Sequence, residues 1–173
     1  MPTANQYIIQ FANLPLGRHE FVFQVKDSFF TKFENSEIRK GDFKVEVGLQ
    51  KQAIMLVMTF RIKGKAMLEC DRCGDECQLK IEGEQSLIAK LDGGVEEEGD
   101  EIVMLSSSAS ELEISSFIYE FIILSLPLKR MHTGKKGKNA CNPEVIRKLE
   151  EIAVHSEKQE DPRWNDLKNI KLS

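Results

Sequence analysis

Two cysteines separated by two residues constrain this chain more than any other feature of its sequence. Cys70 and Cys73 follow a strand-like run and precede Gly74. Two thiolates at this spacing can turn toward one ion, and a glycine after the second can take a positive φ and aim backbone N–H groups at the sulfurs. The stretch therefore predicts a zinc knuckle, which supplies half of a tetrahedral site.

The remaining ligands of such a site must come from elsewhere in a chain with four cysteines and three histidines. Cys77 lies four residues beyond the pair, and Cys141 lies far downstream. His132 precedes Cys141 by nine residues, whereas the other two histidines have no cysteine nearby. We predict a structural zinc site with Cys77 as the reserve ligand. Its expected ligands are Cys70, Cys73, His132 and Cys141.

Length and composition are those of a globular chain that does not depend on metal for its core. The 173 residues are 41% hydrophobic and 30% charged, and no apolar run approaches the roughly 18 residues of a membrane span. The N-terminus shows neither a basic nor an apolar export region, so we expect a cytoplasmic protein without membrane contact. In a reducing cytosol, such cysteines favour metal ligation over disulfides.

Apolar periodicity predicts mainly strands over residues 1–105. A strand, a turn and a second strand are expected within Tyr7–Val25, followed by a short helix over Phe29–Asn35. The nearly continuous apolar run Ala53–Ile62 is typical of a central strand covered on both faces. Further strands are predicted over 43–49, 65–69, 78–91 and 102–105. The cysteine pair would thus lie at a hairpin tip of a bent antiparallel sheet or partly open barrel.

Residues 106–173 are predicted to be mainly helical, giving an α+β fold with C-terminal helices in a single domain over 1–173. Ser110 and Glu113 form a capping-box pattern before a buried helix over Glu111–Leu126. Asn142, followed by proline, predicts the start of another helix that runs to about His155. A short terminal helix is expected over 161–170, and residues 92–101 are predicted to form an acidic loop.

A basic loop over residues 128–141 separates the two main predicted helices. Five of the ten residues from position 129 are lysine or arginine, and the loop also holds both downstream candidate ligands. Because the formal net charge of the chain is −4, nucleic acid can be attracted only by such a local patch. The predicted RNA contacts are Arg72, Lys129, Arg130, Lys135, Lys136 and Lys138.

Three stretches of the chain form a distinctive set: Leu68–Cys73, Glu120–Pro127 leading to His132 and Cys141, and a closing segment from Asp161 to Lys171. Together they resemble the YceD family, the large ribosomal RNA subunit accumulation proteins of bacteria and plastids. The chain departs from the usual pattern in having Lys129-Arg130-Met131 where a second proline often precedes the histidine, and in carrying Cys77.

The resemblance implies a non-catalytic cytoplasmic factor that supports the accumulation or processing of large-subunit (23S) ribosomal RNA in ribosome biogenesis. The implied partner is ribosomal RNA, a pre-ribosomal particle or a ribosomal protein. Neither the resemblance nor the residue pattern specifies an oligomeric state.

Two other classes of function are compatible with the cysteine pair. A thiol redox protein would cycle Cys70 and Cys73 between dithiol and disulfide, although redox pairs of this kind usually lie at a helix N-terminus, whereas Cys70 ends a predicted strand. A plain protein-interaction module would keep the cysteines as reduced core residues without metal. Zinc hydrolysis is disfavoured because three cysteines and a histidine leave no open coordination position.

Overall fold

The computed structural model describes residues 7–91, 102–106, 108–134 and 140–153. The chain divides into two compact units, Met1–Cys141 and Asn142–Ser173, and each is described by itself. The single domain proposed from the sequence therefore stays a prediction. The predicted acidic loop over 92–101 and the predicted terminal helix over 161–170 lie outside the described residues.

The first unit is built on a five-stranded sheet in the order β2-β3-β4-β5-β6. Strands β2 to β5 are antiparallel neighbours, whereas β6 runs parallel to β5. The strands are β2 (Gly17–Val25), β3 (Lys40–Lys51), β4 (Met55–Glu69), β5 (Glu76–Lys90) and β6 (Ile102–Met104). This confirms an α+β protein with a mainly antiparallel sheet, while the predicted bend or barrel closure stays a prediction.

A second, two-stranded sheet joins the beginning of the chain to its middle. Strand β1 (Ile8–Ile9) pairs antiparallel with β7 (Leu112–Glu113). The strand expected near Tyr7 therefore forms, but its partner is more than 100 residues away rather than the neighbouring β2. A two-residue strand carries too little local signal for its partner to be chosen from sequence.

One face of the large sheet forms the core. Alternate residues of β3, beginning with Phe43 and Val45, are buried, and those between them are exposed. The prediction that β4 is covered on both faces is wrong. Met58 and Phe60 are completely buried, but Arg61 is exposed and Val57 is half-buried. Strand β4 is central in the sheet, yet its second face is open.

Three helices are present in the described part of the chain: α1 (Asp27–Phe30), α2 (Ser115–Leu124) and α3 (Pro143–Ile152). Helix α2 is shorter than predicted because the residues before it enter β7, and the expected capping box is absent, since its N-cap is Ile114 without a side-chain cap. In the second unit, the Glu144 N–H donates to Asn142 Oδ1 at 3.1 Å, which confirms the predicted cap of α3. No helix among the described residues is long and apolar enough to cross a membrane.

The end of α2 packs against β4 and β5. The ring of Phe121 meets that of Phe60 edge-on, with centroids 5.0 Å apart. One turn later, Ser125 lies over Gly83, where a Cβ would be only 2.7 Å from the Ser125 Cβ. A glycine at this position of β5 lets the helix end approach the sheet, and the chain leaves this point toward the cysteine pair.

Candidate metal centre

The turn between β4 and β5 is closed by its own backbone. The Cys70 N–H donates to Asp75 O at 2.9 Å, and the Gly74 N–H donates to Cys70 O at 2.9 Å. Gly74 has a φ of 77°, which confirms the positive φ expected from the sequence. The turn therefore holds Cys70 and Cys73 on one short loop at the tip of the longest hairpin in the described sheet.

The segment after α2 is fastened to this turn by two reciprocal hydrogen bonds between Asp71 and Arg130. The Asp71 N–H donates to Arg130 O at 2.8 Å, and the Arg130 N–H donates to Asp71 Oδ2 at 2.7 Å. The Arg130 guanidinium also forms an ion pair with Glu37, with 2.6 Å between Nη1 and Oε2. These contacts carry His132, two residues further on, to the cysteine pair.

Four donor side chains converge where these segments meet. The ligand atoms of Cys70, Cys73, His132 and Cys141 all lie within 4.8 Å of one another. The Sγ atoms of Cys70 and Cys141 are 3.9 Å apart, and Cys73 Sγ is 3.6 Å from His132 Nδ1. A tetrahedral zinc ion with Zn–S of about 2.3 Å and Zn–N of about 2.0–2.1 Å requires about 3.8 Å and about 3.6 Å for these two separations. The group therefore fits a tetrahedral metal ion.

The orientation of His132 suits a metal ligand. Its Nε2 lies 3.3 Å from the carbonyl oxygen of Glu76. Because a carbonyl can only accept, this hydrogen bond requires the proton on Nε2 and leaves the Nδ1 lone pair directed toward the cysteines. A histidine that binds metal through one ring nitrogen usually donates the N–H of the other to a backbone carbonyl or a carboxylate in this way.

The electrostatics of the cluster favour a bound cation. Burial opposes ionisation of Cys70, but the backbone N–H groups of Arg72, Cys73 and His132 lower its pKa to about 6. Desolvation and hydrogen bonds from the Cys141 thiol to the Cys70 and Cys73 sulfurs raise the pKa of Cys141 to about 11. Three sulfurs this close cannot all be thiolates without a positive charge between them, and a divalent metal supplies that charge.

Cys77 is not part of the converging group. It is only 2% exposed, lies in β5 opposite Leu68 and faces the core. Burial is the main cause that raises the pKa of its thiol, and the neighbouring Cys70, Cys73 and Asp71 raise it further. The choice of His132 over Cys77 as the fourth ligand is thus supported by geometry and stays a prediction.

Comparison with protein families gives one match. Residues 58–171 match the family described as "Large ribosomal RNA subunit accumulation protein YceD". This chain belongs to the YceD family. The matched range is more than half of the chain and contains all four converging side chains of the cluster. No curated protein and no solved structure matches the chain.

The predicted RNA contacts of this YceD-family chain fall into three groups. Arg72 and Lys129 are exposed beside the four converging side chains. The Arg130 guanidinium pairs with Glu37, so its charge is already partly neutralised, while Asp71 holds the Arg130 backbone N–H. The lysines at 135, 136 and 138 lie outside the described residues, and their contact with RNA stays a prediction.

Two contacts that hold the converging side chains in place could not be predicted from the sequence pattern. The Asp71 carboxylate accepts from a backbone N–H 59 residues away, and Glu37 pairs with Arg130 from a loop that precedes β3. Asp71 lies within the cysteine motif, but nothing in the spacing predicts its partner. Such contacts depend on which loops the fold brings together.

Proposed function

We propose that this chain is a non-catalytic cytoplasmic factor that supports the accumulation or processing of 23S ribosomal RNA during ribosome biogenesis. The observation that carries the proposal is the match to the YceD family over residues 58–171. Ribosomal RNA, a pre-ribosomal particle or a ribosomal protein is the proposed partner.

The proposed role of the Cys3His group is to hold one structural zinc ion. Its ligands would be Cys70, Cys73, His132 and Cys141, which come from the β4–β5 turn, the segment after α2 and the end of the first unit. A zinc ion with four protein donors has no open position for substrate or water, so it would stabilise the fold rather than activate a nucleophile. Metal bound across such distant segments adds its binding energy to folding.

A genetic test examines the function directly. A strain that lacks the protein should show a lowered ratio of large to small ribosomal subunits in sucrose gradients, and the wild-type gene should restore it. Cys73→Ser should fail to restore the ratio, whereas Cys77→Ser is the matched control and should restore it, because Cys77 lies outside the converging group. A normal subunit ratio in the deletion strain would refute the ribosomal role.

The metal content tests the site independently of that role. Protein purified without a polyhistidine tag and without added metal should hold about one zinc per chain. Metal-free protein whose Cys70 and Cys73 form a disulfide that is readily reduced would instead favour the thiol redox alternative. Metal-free protein with persistently reduced thiols would favour the plain interaction module.

The basic loop after α2 is the proposed RNA contact that follows from the sequence. Replacing Lys135, Lys136 and Lys138 with glutamine should weaken association with pre-ribosomal particles and reduce its salt dependence by up to about three ion equivalents. Zinc content should not change. Unaltered co-sedimentation of this variant would remove the loop from the mechanism.

A further inference from the structure

The open face of the large sheet carries a concentration of lysines near the end that holds the cysteine pair. Two pairs of lysines are direct cross-strand partners: Lys44 faces Lys63, and Lys65 faces Lys80. Lys40 lies on the same face, two positions from Asp42, which is the β3 partner of Lys65. We call these five exposed residues the sheet lysine patch; they are Lys40, Lys44, Lys63, Lys65 and Lys80.

Folding alone does not favour this arrangement. Like charges directly opposite each other on antiparallel strands destabilise the sheet. On the same face Arg61 faces Glu84 with 3.0 Å between Nε and Oε2, whereas Glu69 faces Glu76. Asp42 faces Lys65 and Glu82 faces Lys63, which offsets part of the repulsion within the two lysine pairs. An anion bound over the pairs would offset the rest.

The patch is incompletely neutralised by its own neighbours. The acidic side chains within its rows are Asp42 and Glu82, which leave a formal balance of +3 in a chain whose net charge is −4. Lys44 forms an ion pair with Glu46 at 2.5 Å. Among the described residues, Lys63, Lys65 and Lys80 form no ion pair.

The spacing of the patch fits an extended polyanion. Neighbouring strands are about 4.8 Å apart, and alternate residues along a strand are about 6.8 Å apart. The lysines thus occupy three consecutive rows across β3, β4 and β5, which they share with Asp42, Met67, Gln78 and Glu82. An exposed cationic surface on a sheet face suits a phosphate backbone.

We propose that the sheet lysine patch binds the phosphate backbone of RNA. The inference rests on the proposed function, and it assigns to the described sheet a contact surface separate from the basic loop after α2. Lys63, Lys65 and Lys80 carry most of the contact because they are exposed and lack ion-pair partners in the described part of the chain. Each phosphate contact releases condensed counterions, so the binding is dependent on salt.

The test measures binding of the purified full chain to a fluorescently labelled RNA hairpin over a range of salt concentrations. The variant replaces Lys63, Lys65 and Lys80 with glutamine. Loss of three phosphate contacts lowers the slope of log affinity against log salt by up to about 2.7. Between about 50 and about 200 mM salt, wild-type protein should therefore lose up to about 40-fold more affinity than the variant.

Two further variants separate the patch from general effects of charge and folding. Arginine at the same three positions keeps the charges and should retain the wild-type salt slope. Glutamine at Arg18, Lys32 and Lys148 removes the same number of charges outside the patch, and should change the slope much less.

The outcomes distinguish this proposal from the ribosomal function. If wild-type protein does not bind the hairpin at low salt, or if the patch variant keeps the wild-type slope, the patch is not an RNA surface. Either result leaves the subunit ratio of the deletion strain as a separate test of the ribosomal role. Conversely, a normal subunit ratio would refute that role without affecting a measured change in salt slope.

Discussion

Gly83 should be a position where one added methyl group destabilises the protein although the backbone can accept it. The φ of Gly83 is not positive, so Gly83→Ala introduces no left-handed strain. Its Cβ would, however, be 2.7 Å from the Ser125 Cβ at the end of α2. Ser125 cannot rotate away freely because its hydroxyl donates to Phe121 O at 2.6 Å. We therefore expect the helix end to move.

The size of the effect follows from two opposing contributions. Replacing glycine by alanine within a strand should stabilise the protein by about 0.5–1 kcal/mol, because the unfolded chain loses conformational freedom. Overpacking against Ser125 should destabilise it by about 1–3 kcal/mol. The expected net loss in the free energy of unfolding is about 0–2.5 kcal/mol, or up to roughly 10 °C in Tm for a chain of this size.

The assay is a double-mutant cycle measured by urea unfolding at fixed zinc concentration. Ser125→Gly removes the atoms that collide with the new Cβ, so Gly83→Ala should change sign in that background and stabilise by about 0.5–1 kcal/mol. Because the chain after Ser125 leads to His132, Gly83→Ala alone should also weaken zinc binding, and the double variant should restore it. Equal effects of Gly83→Ala in both backgrounds would refute the close approach as its cause.

Three further outcomes are expected. His132→Ala should abolish stoichiometric zinc binding while Cys77→Ser retains it, as measured by metal analysis; the reverse pattern would make Cys77 the fourth ligand. Gly74→Ala should destabilise the zinc-bound protein by about 1–2 kcal/mol in urea unfolding, because its φ of 77° is unfavourable for alanine, and no loss would contradict the turn geometry. Lys80→Glu should stabilise the sheet by about 0.2–1 kcal/mol, since it converts the like-charge pair with Lys65 into an opposite pair; a lowered Tm would contradict that pairing.

Local patterns were sufficient to predict the features that depend on neighbouring residues. The alternation beginning at Phe43 and Val45 predicted both the strand and its buried face, because side chains of a strand point alternately to opposite sides. Gly74 was predicted to have a positive φ, and Asn142 to cap a helix, because each conformation involves only residues a few positions away. The motifs shared with the YceD family likewise predicted the family from residues read along the chain.

The sequence alone determined that a C-x2-C turn lies at a hairpin tip and that few residues could complete a metal site with it. Only the tertiary structure decided which of these residues converge, because His132 reaches the cysteines through the contact of Asp71 with Arg130, 59 positions apart. The composition of the sheet lysine patch likewise depends on the register of the strands. Lys65 and Lys80 lie 15 positions apart on the two strands of one hairpin, and only the register of β4 with β5 makes them opposite neighbours.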